Sequence, residues 1–130
     1  MIPEDKLDLL ERPIVASLAT IMPDNQPQVT PVWFSYDGTH ILVNSARGRQ
    51  KDRNMIERPR VTMLFIDPEN PYRYMEVRGE IEEITEEGGL DHINALSNRY
   101  FGREDYYAGM PERRGKETRV IYKIRPTHVS

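Results

Sequence analysis

Short apolar runs that leave no polar face constrain this chain more than any other feature. Val32-Trp33-Phe34 and Met63-Leu64-Phe65-Ile66 are apolar at every successive position. Side chains alternate across a strand, so a sheet with one face in water should alternate apolar and polar residues. These strands must therefore bury both faces, one against their own core and the other against something else. A chain of 130 residues is a single domain, 1–130, with one core. The cover expected for the second face is another copy of the same chain, a homodimer.

Turn chemistry divides the rest into strands and two short helices. Strands are expected over Ile14–Ile21, Val29–Tyr36, His40–Asn44, Val61–Ile66, Tyr72–Ile84 and Val120–Ile124. Pro23-Asp24-Asn25-Gln26-Pro27 separates the first pair. Asp37-Gly38 reads as a hairpin whose two central residues both need positive φ. Gly79, on the apolar face of its strand, points to a bulge or a sharp bend. Arg49–Glu57 has room for two helical turns before Pro59, and Leu90, Ile93, Leu96 and Phe101 recur at helical spacing over about 87–101. Residues 102–118, with three glycines, a proline and many charges, read as a mobile loop. Six strands, two helices and a hairpin meander make a mainly β chain with short α elements, a small antiparallel barrel with helical plugs.

Several kinds of chemistry are excluded. Without cysteine there is no disulfide framework, no thiolate nucleophile and no cysteine-ligated metal. His40, His92 and His128 lack metal-ligand spacing and read as surface or strand-edge residues, so no metal site is expected. The acidic pairs Glu82-Glu83 and Glu86-Glu87 fit a strand end and a helix start, where acids favour the dipole. Neither a P-loop nor a GxGxxG motif is present, and no serine stands in a nucleophile elbow. No apolar run approaches the ~18 residues of a membrane span, and the acidic start is no secretory signal. A soluble cytoplasmic protein is expected.

Charge is distributed unevenly. The chain carries -3 overall, yet residues 47–60 hold six cations and two acids, leaving twelve cations and nineteen acids elsewhere. Such a local excess in an acidic protein points to an anionic ligand. A nucleic acid is a poor candidate, because the net charge opposes it and no aromatic residues interleave the basic run. The segment from Thr30 to Asn54 is more informative. Pro31 interrupts a strand and tolerates only an edge or a bulge, against which a flat ligand can lie. Asn44-Ser45-Ala46 are small or polar residues just before the basic helix. Gly48 permits a tight entry into that helix, whose first N–H groups favour anions. Arg49 and Lys51 are two apart and converge only if Arg49 lies at the non-helical entry. Lys51 and Asn54 share a face. The result is a planar slot beside an anion clamp.

These residues resemble the pyridoxamine 5'-phosphate oxidase-like split-barrel family, in particular its branch that uses the deazaflavin coenzyme F420. The resemblance runs from about Pro13 to His128. It is carried by Ser17-Leu18-Ala19-Thr20, Pro27 to Trp33, Arg49-Gln50-Lys51-Asp52-Arg53-Asn54, Pro59-Arg60-Val61, Val77-Arg78-Gly79-Glu80 and Ile124 to Val129. It implies a six-stranded antiparallel split β-barrel of the FMN-binding type, dimeric, with the cofactor at the subunit interface. It also implies that Thr30, Pro31, Val32 and Trp33 border the tricyclic ring. Asn44, Ser45 and Ala46 would line the ring and ribityl chain, and Arg49, Lys51 and Asn54 would hold the phosphate. Arg47, Arg53 and Arg58 would be placed to meet the carboxylate-rich tail of the deazaflavin. The implied activity is hydride transfer between reduced coenzyme F420 and a small conjugated organic substrate, with Trp33 and the Tyr106-Tyr107 loop on the substrate side. No side chain is assigned as catalytic. The alternatives are an FMN oxidoreductase of the same family and a cofactor-binding protein without turnover.

Overall fold

The computed structural model describes residues 1–130. Seven strands form one sheet: β1 (Ala16–Ile21), β2 (Pro27–Val32), β3 (Phe34–Tyr36), β4 (Ile41–Ala46), β5 (Arg60–Asp67), β6 (Asn70–Thr85) and β7 (Arg119–Val129). Their order is β2-β1-β5-β6-β7-β4-β3, with every neighbour antiparallel. Three α-helices accompany them: α1 (Asp8–Glu11), α2 (Gln50–Glu57) and α3 (Gly89–Phe101). No helix is long and apolar enough to cross a membrane.

Seven strands stand where the sequence suggested six, because Val29–Tyr36 is two strands and not one. Val32 ends β2 on one edge of the sheet, and Phe34 begins β3 on the opposite edge. Only Trp33 lies between them, so the sheet curls until its two edges meet at that residue. The backbone N–H of Phe34 donates to the Tyr100 hydroxyl (3.2 Å) at this junction. Pro31 lies on edge strand β2, opposite Ser17, where its missing N–H costs no ladder bond on the open side.

Inside the curl, eighteen buried residues make the core. Phe34 and Phe65 meet edge to face at 4.8 Å between ring centres. Alternation sends Met63 and Phe65 inward and leaves Leu64 and Ile66 on the outer face. On the β4–β7 half, α3 covers the outer face. On the β1–β5 half that face is bare, and Val29, Ile66 and Tyr74 lie exposed there.

Three further local expectations change. At the β3–β4 turn only Gly38 has positive φ. Asp37 instead accepts the backbone N–H groups of Thr39 (2.8 Å) and His40 (2.6 Å) through its carboxylate. The central pair is thus Gly38-Thr39, as in turns that need glycine only at the first central position. The last strand continues through Pro126 to Val129. Residues 102–118 are not a free loop: they contain two 3-10 turns, and Tyr107 is buried.

The bend at Gly79 does occur. The β6–β7 register shifts between Arg78 and Gly79. A Cβ added there would stand 2.6 Å from Ile124 Cγ2 and 2.8 Å from the Arg125 carbonyl oxygen. Gly79→Ala is therefore expected to cost about 1–3 kcal/mol, as overpacking does, measured as a lower midpoint in urea unfolding. An unchanged midpoint would contradict this close approach.

Candidate cofactor site

The entry to α2 brings two cations together. Gly48 turns the chain at φ +90°. Arg49 then stands outside the helix with extended backbone (φ −67°, ψ 156°), and the helix begins at Gln50. Within a regular helix Arg49 and Lys51 would diverge; from this entry both reach one cavity. Asp52, nearly fully buried, holds the turn in place. Its carboxylate accepts the Gly48 N–H (3.0 Å), the Arg47 guanidinium (3.2 Å) and the Tyr122 hydroxyl. Burial and the Asp52 carboxylate push the Tyr122 hydroxyl well above the usual tyrosine range, so it remains a donor.

The cavity, of about 360 Å³, opens where the sheet edges meet. Pro31, Val32 and Trp33 form one wall, and Ile93 and Leu96 of α3 form another. Trp33 stacks on Tyr100 at 5.3 Å and meets Tyr106 edge to face at 6.1 Å. The opposite end is cationic, lined by Arg49, Lys51 and Arg119.

Lys51 is the least compensated of these charges. Its ammonium donates to the Thr30 hydroxyl (3.2 Å) and forms no salt bridge. Burial first, then the charges of Arg49 and Arg119, push its pKa down. The first-turn N–H groups of α2 add further positive potential beside it.

Arg119 is locked in place by its neighbours. It is 6% exposed. Its Nε donates to Asn44 Oδ1 (3.0 Å), its Nη1 to Glu117 (3.3 Å), and its guanidinium lies 5.1 Å above the Tyr106 ring. That fixes the Asn44 amide, whose Nδ2 donates to the Gly89 carbonyl (3.0 Å) and to His92 Nδ1 (3.1 Å). His92 must then carry its proton on Nε2 and donate to Ser35 Oγ (3.0 Å). A histidine held in this tautomer cannot take a proton from Ser35, so the pair is no nucleophile–base couple. Burial first, then Arg119, lowers the His92 pKa to about 4.

Glu117 backs the polar end from just outside the lining. It accepts from Arg49 Nη2 (3.3 Å), Arg119 Nη1 (3.3 Å) and the Tyr107 hydroxyl (2.8 Å). Burial pushes its carboxyl up, but the Tyr107 hydrogen bond and both guanidinium charges outweigh that and hold it below the usual range. Three cations thus face one carboxylate, a balance suited to an anion.

Of the residues singled out from sequence, Pro31, Val32, Trp33, Asn44, Arg49 and Lys51 line this cavity together. Thr30 stands behind it, bonded to Lys51. Ser45, Ala46 and Asn54 do not line it. Ser45 lies opposite Val120 on the core face, and Ala46 is buried opposite Arg119. Asn54 is fully buried: its Nδ2 donates to Thr20 (3.0 Å) and its Oδ1 accepts from Gln50 (2.8 Å) and Arg58 (3.3 Å). It ties α2 to β1, one turn beyond Lys51. Arg47, Arg53 and Arg58 also have internal partners: Asp52 and Glu86, the Gly48 carbonyl and Gln50, and the Ile21 carbonyl and Glu57.

Sequence reading missed Arg119 and Glu117 and misjudged His92, whereas Tyr106, expected on the substrate side, does line the cavity. Glu117 and Arg119 sit two apart at the start of an apolar strand, the spacing of one strand face. That pairing was readable, but their meeting with Arg49, 68 residues away from Glu117, was not. His92 is a partly buried network residue and not a surface one. Tyr106 is held by Asn94, whose side-chain oxygen accepts its backbone N–H (2.9 Å).

Comparison with known proteins gives a consistent kinship. The family model described as pyridoxamine 5'-phosphate oxidase matches residues 2–130. A solved F420 reductase is 42% identical, with a TM-score of 0.88 over 99% of this chain and 98% of that one. A conserved hypothetical protein from Mycobacterium tuberculosis is 27% identical, with a TM-score of 0.74 over 99% and 83%. The heme storage protein HutZ from Vibrio cholerae, at 15% identity and a TM-score of 0.67 over 100% and 94%, shares the fold alone. No curated protein sequence matches this chain.

The network makes a prediction about pH. His92 should show unprotonated Nδ1 and protonated Nε2 in nitrogen NMR at neutral pH, and titrate at about 4. Between that value and the ordinary 6.5 the unfolded chain binds more protons than the folded one. Its contribution to stability is therefore lost as pH falls through this window. Titration of His92 near 6.5 would contradict the network.

Proposed function

Because the chain belongs to the pyridoxamine 5'-phosphate oxidase family, we propose that its cavity holds a deazaflavin of the coenzyme F420 type. The protein is then an oxidoreductase that moves a hydride between the reduced cofactor and a small conjugated organic substrate. The observation that carries this reading is Lys51, a partly desolvated ammonium beside two guanidiniums with only a hydroxyl for a partner. The F420 reductase similar over nearly the whole chain supports the deazaflavin over FMN.

Residues fit such a group in both polarity and shape. Arg49, Lys51 and Arg119 hold the phosphate, and Thr30 orients the Lys51 ammonium. Pro31, Val32 and Trp33 offer a flat wall to the ring, with the Asn44 amide as a polar contact on the opposite side. Ser45, Ala46 and Asn54 support these residues from behind. Once bound, a deazaflavin supplies electrons in pairs, as a hydride. The chain's own work is to bind, to orient and to exclude water, for which the cluster of Trp33, Tyr100, Phe101 and Tyr106 is suited. No covalent intermediate with the protein is needed.

A homodimer is part of the proposal. Val29, Ile66 and Tyr74 stand exposed on the outer sheet face, and exposed Val15 also lines the cavity. A second copy seated there buries these side chains and closes the rim. At about 360 Å³ one protomer's cavity is near the lower end of ligand pockets, roughly 300–1,000 Å³, consistent with a partner completing it.

A cofactor carrier without turnover uses the same cavity, and catalytic reduction of a panel of enones with reduced coenzyme F420 separates the two readings. For the site itself, Lys51→Ala should weaken cofactor affinity by about ten- to a hundredfold, the value of one charge-assisted hydrogen bond. Its unfolding midpoint should not fall, since the substitution removes a desolvated charge. The check is absorbance retained after desalting from coenzyme F420 or FMN, followed by titration. Unchanged affinity would remove the phosphate from this end of the cavity.

A further inference from the structure

Glu117 is the one carboxylate bonded to the cavity's cations, standing just outside the lining, and it is fixed rather than solvated. Its side chain is 18% exposed, against 43% for Arg49. Oε2 accepts from Arg49 at 3.3 Å, while Oε1 accepts from Arg119 at 3.3 Å and from the buried Tyr107 at 2.8 Å. Turning away would break both the Tyr107 bond and the Arg119 ion pair. Arg49 has no other side-chain partner. The carboxylate therefore stays beside the anion clamp when a ligand arrives.

We propose that Glu117 is a charge selector, shifting the clamp's preference away from a doubly charged phosphomonoester and towards a singly charged phosphodiester. This rests on the reading that Arg49 and Lys51 hold the cofactor's phosphate, and it deepens that reading by choosing between cofactors. Coulomb repulsion from a fixed carboxylate scales with the ligand's charge. Whatever factor Glu117 costs a monoanion, it costs a dianion the square of that factor. A phosphomonoester such as FMN is largely dianionic above a second pKa of about 6. The phosphate of coenzyme F420 is a diester and carries one charge. Three cations without Glu117 would reward the greater charge; with it, that advantage shrinks.

Glu117→Gln tests this because it removes the charge and keeps an oxygen acceptor for Tyr107 and Arg119. Both proteins are titrated at about pH 8, where the monoester is doubly ionised, with three ligands sharing one ring. These are riboflavin, without phosphate, riboflavin 4′,5′-cyclic phosphate, with one charge, and FMN, with two. Flavin fluorescence reports binding. The expected result is no change for riboflavin, about threefold tightening for the cyclic diester and about tenfold for FMN, the scale of a unit charge several ångströms away in a wet site. Tightening that is absent, or equal for all three, overturns the proposal. So does failure of every ligand to bind either protein. Tyr107→Phe cuts the tether and keeps the charge; a charge-ordered tightening there would assign the effect to the loop and overturn the proposal too. Lys51→Ala in the same titration separates the two layers. If it loses FMN while Glu117→Gln shows no charge order, the selector fails and the phosphate site stands. If Lys51→Ala keeps FMN affinity, the phosphate site fails and the selector with it.

Discussion

A single residue, Trp33, separates the two edge strands of the sheet, and the rest of the structure follows from that constraint. Strands one residue apart in the chain cannot sit at opposite ends of a flat seven-stranded sheet. The sheet must curl, and the curl ends in a seam where the hydrogen-bond ladder is interrupted. Interrupted ladders leave backbone and side chains available to a ligand, and here the cavity lies along the seam. Pro31 at the open edge of β2 and Trp33 at the crossing are the residues that such a place tolerates.

Around that seam the polar groups form one connected set. Arg119 orients Asn44, Asn44 sets the tautomer of His92, and His92 reaches Ser35. From its other side Arg119 shares Glu117 with Arg49 and Tyr107. Asp52 and Tyr122, buried beneath, hold the turn that presents Arg49 and Lys51. Every buried charge in this set has a partner of opposite sign or a strong acceptor, except Lys51. A desolvated ammonium kept beside two like charges is costly unless an anion completes it. That imbalance links the packing to the proposed cofactor.

Elements governed by local pattern were legible from sequence. The helical spacing of Ile93 and Leu96 and the bend at Gly79 both follow from near neighbours, while the entry of Arg49 outside its helix stayed one of two possibilities until the structure showed it. Arg49, Lys51, Asn44 and Pro31 to Trp33 were legible as a site because they lie within 25 residues of one another. Misreadings arose where distant segments decide. Val29–Tyr36 reads as one uninterrupted strand, and only the closure of the sheet cuts it at Trp33. Residues 102–118 look unstructured by composition, yet Tyr107 is buried, its hydroxyl on Glu117 and the Arg114 guanidinium over its ring, a folding of the segment on itself that composition does not announce. Asn54 shares a helical face with Lys51, but one turn of rise carries it over β1, where Thr20 and Gln28 take its amide.

The central claim is that the cationic end of this cavity receives the phosphate of a flat redox cofactor whose ring lies along the seam. A crystal structure grown with coenzyme F420 tests it most directly. The account predicts the phosphate within hydrogen-bond distance of the Lys51 ammonium and the Arg49 guanidinium, with the ring against Pro31, Val32 and Trp33. A cofactor bound elsewhere, or bound with Lys51 still bonded only to Thr30, would contradict it.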